Sequence, residues 1–329
     1  MKKGFKIIGM LGVLILFTAN AFVFAAEFPS KAITVIVPRP PGGSRDVIAR
    51  TFASVGEKLL GQPIVVINKA GAGGFAGGLA GAQAPPDGYT LTLTSSADTC
   101  AIEWEIASGR KPPFTLNDFV TIGSFTLSPP LVVVPYNSPW KTLADLIKDC
   151  KAKPNHYAYA VGGMYGSVHM STEIFMNAAG IKARNVPFKG GGPALTAIVG
   201  GHVDFSLQMP STAINLARGN KLRILAGMGD SRIDSIPDVP TMKELGVNAK
   251  NYQMLGLLAP KKTPRPVVEK LKGILAKTVK DKSFIDAVEK TGEDPYYMDG
   301  DELSKYLEQE SKLIAKIMTE LPKEEEPKK

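Results

Sequence analysis

The sequence predicts an α/β protein built as two lobes, and three observations point there. Strand-like and helix-like runs alternate over most of the length, the pattern of parallel sheets covered by helices. Four times a β-like run breaks into a glycine-rich turn and then a helix-like run: ITVIVPRPPGGSRDVIAR from Ile33, IVVINKAGAGGFAGGLAGAQ from Ile64, YAYAVGGMYGSVHMSTEIF from Tyr157 and NVPFKGGGPALTAIVGG from Asn185. Two of these turns fall in the first third of the chain and two in the middle, as expected if each lobe contributes a rim. A helix start carries unpaired N–H groups and the positive end of the helix dipole, and glycine lets a ligand approach that backbone closely. Several such turns on one crevice make a socket for anionic groups.

Residues 1–26 read as an export signal. Lys2, Lys3 and Lys6 precede an apolar run over 7–24, and small residues follow at Ala25 and Ala26. Cleavage is expected after Ala25 or Ala26, with release to the periplasm; an uncleaved anchor is the alternative, because the run is near spanning length. The remaining chain of about 300 residues is long enough for two ordinary domains.

The elements follow in order. Residues 33–37 are a β-branched run, and 46–60 carry apolar positions at helical spacing. Residues 64–67 form the next strand, 75–83 a helix of small residues able to pack close to a sheet, and 89–94 a threonine-rich strand. A strand at 131–135 precedes a helix opening at Ser138 and running to Lys151. Further units are a strand at 157–161, a helix at 168–179 ended by Gly180, a helix at 194–199, strands at 203–207 and 222–226, and a short helix at 242–245. A strand at 252–258 leads into lysine-rich amphipathic helices at 264–280, 283–290 and 302–319. In the last, Leu303, Tyr306, Leu307, Leu313, Ile314 and Ile317 make one stripe. Residues 322–329 read as a frayed tail.

Composition excludes several functions. Formal net charge is +8, and removing the three signal lysines leaves +5, a modest excess without an aromatic platform for nucleic acid. The three histidines and two cysteines show no metal-ligand spacing, and no cofactor is expected. Cys100 and Cys150 read as two buried thiols, with a disulfide between them as the alternative that an exported protein permits. GAGGFA at 71–76 fits a dinucleotide fingerprint with Asp98 at ribose spacing, but it follows the second strand and the cofactor is foreign to the periplasm. No nucleophile elbow occurs, and Ser167 and His169 lie two apart on a helix start, pointing in different directions. Asp46 has two readings: an N-terminal acid that complements the helix dipole, or an acceptor for a ligand amine or hydroxyl. Arg39 and Arg45 flank the same turn and either could reach an anion.

Several segments together resemble one family. PRPPGGSRDVIAR is similar to the P-F-x-P-G-G-x-x-D-x-x-A-R signature of the substrate-binding proteins of tripartite tricarboxylate transporters, the Bug-type periplasmic receptors. GQPIVVINKAGAGGFAGG, APPDGYTL, YGSVHMSTEIF, VPFKGGGPALTAIVGGHVD and KLRILAGMGDSRIDSIPDVPTMKELG continue the likeness in order. The resemblance implies a two-lobed periplasmic-binding-protein type II fold, two sheets flanked by helices with two hinge crossovers. One lobe would be 27–125 plus 250–329 and the other 126–249. It implies a monomeric receptor, not an enzyme, that closes on a small carboxylic acid (a di- or tricarboxylate, aromatic ones included) and hands it to membrane permease subunits. A ligand sensor on the same fold and an amino-acid receptor with Asp46 meeting the amine are the alternatives.

Carried over by position, the implied ligand contacts are Arg39, Pro40, Gly42, Gly43 and Asp46, with Ser95, Ser96 and Ala97 at the end of the third strand. The other lobe offers Tyr165, Gly166, Ser167 and His169, then Lys189, Gly190 and Gly191, and Asp204 toward the hinge. Arg39 stands where the family has Phe, Pro40 where a small residue is common, and Met164–Tyr165 where a small or polar pair is usual. A bulkier and more cationic pocket follows, with Arg39 expected to pair with an extra carboxylate.

Overall fold

The computed structural model describes residues 28–42, 44–188 and 191–320. The expected export signal, the tail at 322–329, and Gly43, Lys189 and Gly190 lie outside the described residues. In chain order the first lobe holds β1 (Ile33–Val37), α1 (Ser44–Leu60), β2 (Ile64–Asn68), α2 (Phe75–Ala82), β3 (Thr90–Ser95), α3 (Ser96–Ala107) and β4 (Phe119–Ser128). The second holds β5 (Leu131–Pro135), α4 (Leu143–Ala152), β6 (Ala158–Val161), α5 (Ser167–Ala179), β7 (Arg184–Pro187), α6 (Gly191–Val199), β8 (Phe205–Gln208), α7 (Pro210–Arg218) and β9 (Leu222–Gly227). The chain then returns to the first lobe as β10 (Gln253–Pro260), α8 (Arg265–Thr278), α9 (Lys282–Lys290) and α10 (Gly300–Glu320).

Two five-stranded sheets result, ordered β2-β1-β3-β10-β4 and β7-β6-β8-β5-β9. The expectation of parallel sheets needs correction, because both are mixed. β1 pairs in parallel with β2 and β3, but β10 is antiparallel to β3 and β4. Likewise β6 is parallel to β7 and β8, while β5 is antiparallel to β8 and β9. The reversed strands are the ones that enter a lobe straight from a crossover, so they run opposite to strands delivered by a covering helix. The crossovers are residues 129–130 and 228–252.

Each lobe has its own core. In the first, Ile48, Phe52 and Val55 of α1 and Leu271 and Leu275 of α8 cover one face of β1, β3 and β10. α2 covers the other face at very short range. A Cβ at Gly81 would sit 1.8 Å from Thr92 Oγ1, and one at Gly78 2.1 Å from the Phe114 ring, so only glycine permits this approach. In the second lobe, Tyr159, Phe175 and Phe205 pack with Trp140 and Leu146 on one face, and Val133, Ala160 and Ile198 on the other.

Three elements were absent from the reading above: α3, β4 and α7. α3 lacks a one-sided stripe because it is enclosed on several sides, burying Ser96, Asp98, Thr99 and Glu103 beside Cys100 and Ile102. The helix expected to open at Ser138 begins at Leu143 instead. Thr142 and Asp145 form a reciprocal capping box there, and Ser138 Oγ accepts the Trp140 N–H in a separate turn. The segment 242–245 is a turn, not a helix. Cys100 and Cys150 are both buried free thiols on different lobes. Among the described residues no helix is long and apolar enough to cross a membrane.

Candidate functional site

The glycine turns follow the carboxyl ends of parallel strands, where open α/β sheets bind ligands. β1 and β3 are neighbours, so the turn into α1 and the start of α3 lie side by side. β6 and β7 are neighbours too, and Phe188 N–H donates to Val161 O, which brings the loop before α5 against the approach to α6. The two rims meet across the lobes, because Trp104 of α3 stacks on Tyr165 of the loop before α5. Each lobe therefore sets two helix starts near one another, and first-turn amides have no partner within the helix itself.

Individual residues divide sharply. Asp46 is buried and holds three hydrogen bonds and an ion pair within its own lobe. Its Oδ2 accepts the Gly42 N–H at 3.0 Å and Arg50 Nε at 3.1 Å, its Oδ1 accepts Asn68 Nδ2 at 2.9 Å, and Arg50 Nη2 lies 3.0 Å from Oδ1 as an ion pair while donating to Asn68 Oδ1. Burial raises its pKa, but these donors outweigh burial and hold the carboxyl below its ordinary value. Gly42 (φ 89°) turns the chain here, and Pro40 and Gly42 are exposed. The Gly42 amide is thus occupied by Asp46.

Arg39 is committed as well. Its Nη1 donates to Gly73 O at 2.6 Å, and its Nη2 pairs with Asp98 Oδ1 at 3.1 Å. Asp98 Oδ2 accepts both the Ser95 N–H (2.9 Å) and the Ser95 hydroxyl (3.1 Å). One buried acid therefore ties the first glycine turn, the second and the start of α3 together, which is also what Asp98 does in place of a ribose contact. Ser96 Oγ accepts the Met254 N–H at 3.0 Å, fastening α3 to the returning strand, and Ala97 is left partly exposed on the rim.

Arg45 differs from both. It lies in the first turn of α1 and makes no hydrogen bond or ion pair among the described residues. It keeps partial access to water, yet protein surrounds its guanidinium, and that desolvation lowers its pKa to about 10 against the pull of Asp98 and Glu293. A group that is crowded by protein yet open to water sits in a recess, and it stays charged at neutral pH. Glu293 in turn accepts Ser211 Oγ of the second lobe at 2.8 Å.

In the second lobe, Gly166 and Ser167 are partly exposed at the start of α5. Tyr165 adopts φ 57°, and its N–H donates to His169 Nδ1 at 2.9 Å. Accepting at Nδ1 puts the neutral ring's proton on Nε2, which faces Glu173 Oε1 at 3.4 Å and the Asn185 amide at 3.0 Å. His169 is 3% exposed and points into its own lobe. Gly191 opens α6 in free space. Asp204 is not on the rim. It precedes β8, and its Oδ2 accepts the Ala158 N–H at 2.7 Å, at the opposite end of β6 from the glycine turn. A cavity of ≈960 Å³ flanks α5, lined by Tyr159, His169, Glu173 and Asn185 with Leu313 and Ile317 of α10. It adjoins Tyr165 but contains none of the free helix starts.

The chain is similar to several known proteins. A model of the tripartite tricarboxylate transporter family receptor matches residues 48–322. Protein BugT of Bordetella pertussis is 32% identical over 318 residues, covering 96% of this chain and 97% of that one. Among solved structures, one of a periplasmic transporter is 34% identical with TM-score 0.77, over 89% of this chain and 97% of the other. MatC (Rpa3494) from Rhodopseudomonas palustris with bound malate is 26% identical with TM-score 0.73, over 88% and 100%. R. palustris Rpa4515 with adipate is 25% identical with TM-score 0.76, over 89% and 99%.

Proposed function

Because the chain belongs to the tripartite tricarboxylate transporter receptor family of periplasmic solute-binding proteins, we propose that it captures a small dicarboxylic or tricarboxylic acid between its lobes and delivers it, unaltered, to transporter permease subunits. The observation that supports this reading is the helix starts that follow strand ends in both lobes, with the Arg45 guanidinium in the first turn of α1 making no hydrogen bond or ion pair among the described residues. Backbone N–H groups grip a carboxylate without many charged side chains, and enclosure strengthens each bond. Malate in MatC and adipate in Rpa4515 support the ligand class.

The division of labour follows from the bonding. Arg45, Ala97, Gly166, Ser167 and Gly191 face the ligand. Asp46, Arg39, Asp98, Ser95 and His169 shape the turns that present them. Asp46 is saturated by donors and so does not meet an amine, which favours an acid over an amino acid. Closure is the step that turns contacts into affinity: the ligand bridges both rims and shifts the hinge toward the closed form. In this reading the receptor acts as a monomer and releases its ligand unaltered; among the described residues no nucleophile and base are brought together on the rim.

A thermal-shift screen against malate, adipate, succinate and citrate tests this. At least one acid should raise the Tm in proportion to the logarithm of its concentration and emerge unchanged by mass spectrometry. A flat response to every acid, or a transformed acid, would sink the reading.

A further inference from the structure

Trp104 on α3 and Tyr165 before α5 come from opposite lobes. Their rings lie face to face, with centroids 3.4 Å apart and planes 8° apart. Around them Cys100 from α3, Met170 from α5, and Ile314 and Met318 from α10 make an apolar cluster that neither lobe completes alone. Tyr165 is only 7% exposed although it sits in a surface turn.

The loop is built to hold that ring there. Tyr165 has a left-handed backbone (φ 57°), a conformation ordinarily left to glycine. Gly163 and Gly166 stand on either side of it, so the loop does not lack glycines; this position carries a large aromatic at a conformational cost. The His169 ring fixes the Tyr165 N–H, and Glu173 Oε1 faces the ring's Nε2 at 3.4 Å in turn. Each of these supports belongs to the second lobe, whereas the face that Tyr165 presents is covered by the first. Polar contacts between lobes lie elsewhere: Asn251 Nδ2 of the second crossover and Gln253 Nε2 of β10 donate to Ser171 Oγ at 2.7 and 3.2 Å, and Ser211 Oγ donates to Glu293 Oε1 at 2.8 Å.

We infer that Trp104 and Tyr165 form an aromatic clasp between the lobes, which favours the closed arrangement before any ligand arrives. Parting the lobes unstacks the pair and opens the cluster behind it. A stacked aromatic pair is worth enough to change a closed-to-open ratio by roughly two- to tenfold. A ligand that binds only the closed form gains apparent affinity in proportion to the fraction closed, by at most the same factor. The clasp goes beyond the receptor reading, since it is measured on the ligand-free protein.

The test is small-angle scattering on the ligand-free chain and its W104A, Y165A and Y165F variants. W104A and Y165A should raise the radius of gyration, and Y165F, which keeps the ring, should not. Equal radii across the set, with native circular dichroism, would overturn the clasp. A second measurement needs no change to the pair. In W140F, Trp104 is the remaining tryptophan; its emission should be blue-shifted and resistant to acrylamide. Quenching there as efficient as that of free indole would overturn the clasp too.

Discussion

Arg39 and Arg45 lie six residues apart on one turn, and the structure separates their roles. Arg39 has both terminal nitrogens engaged, on the Gly73 carbonyl and on Asp98, so its charge is already matched. Arg45 has none engaged among the described residues, and its recess opens to water. The expectation that Arg39 meets an extra carboxylate therefore passes, as a proposal, to Arg45. Titration calorimetry with whichever of malate or adipate binds should show R45Q weakened on the order of tenfold or more, as for loss of a charge-assisted hydrogen bond. R39Q should lower the Tm and leave the affinity of the folded fraction within about threefold, because its partners are protein groups. The reverse ranking would return the ligand role to Arg39. Asp46 shows why such distinctions escape a sequence: the same residue type at a helix start serves as acceptor for a ligand or for Arg50, Asn68 and Gly42, and only coordinates say which donors arrive.

At the scale of the element, α2 and α8 show two opposite uses of glycine. α2 (FAGGLAGA) reads in sequence as a helix of small residues suited to close packing, and it does lie against Pro38, Phe114 and Thr92. Gly273 in α8 is exposed, with open space where a Cβ would stand. G81A should destabilise the fold by about 1–3 kcal/mol, since Thr92 on a core strand cannot retreat. G273A should stabilise it by about 0.5–1 kcal/mol through helix propensity. Urea denaturation read by circular dichroism checks both, and a neutral G81A would show that α2 can shift outward. α10 teaches a related lesson. Its apolar stripe was legible, but Leu313 turns out exposed (41%), and Glu310 occupies the middle of the buried face with Leu303, Leu307, Ile314 and Met318. Hydrophobic spacing locates a face; it gives no warning of an acid placed within it.

That acid acts on the whole molecule. Glu310 sits where α10, α3 and the second crossover meet. Tyr306 donates to Tyr252 O at 3.1 Å and approaches Glu310 Oε1 at 3.4 Å, while Glu310 Oε2 has no hydrogen-bond partner. Burial pushes its carboxyl up to about 7; the hydroxyls of Ser96, Thr99 and Tyr306 oppose the rise and Asp98 adds to it. The folded pKa thus exceeds the unfolded value near 4.3. The folded state binds the proton more tightly, so this stabilisation is complete below about pH 4 and is lost as pH rises through 7, an effect of order 3 kcal/mol. Stability should fall between about pH 4 and 7 and level off above, and E310Q should flatten that slope. An unchanged slope in E310Q would place the titration on another group, with Asp294, pushed up to about 6 by burial, the next to test.

By itself the sequence determined the α/β class, nearly every strand, the four glycine turns and, through their ordered resemblance, the family. These are properties of local pattern: β-branched runs, helical spacing and glycine where the backbone must turn tightly. It did not reveal α3, whose burial on several sides erases the amphipathic signal, nor the reversal of β5 and β10, which depends on where the hinge delivers the chain. Tertiary structure alone decided which arginine is left unengaged among the described residues, that Asp204 meets β6 at the end opposite the glycine turn, and that Trp104 meets Tyr165 across the lobes. Partnership is a matter of distance between segments remote in the chain, and residue order carries no measure of that distance.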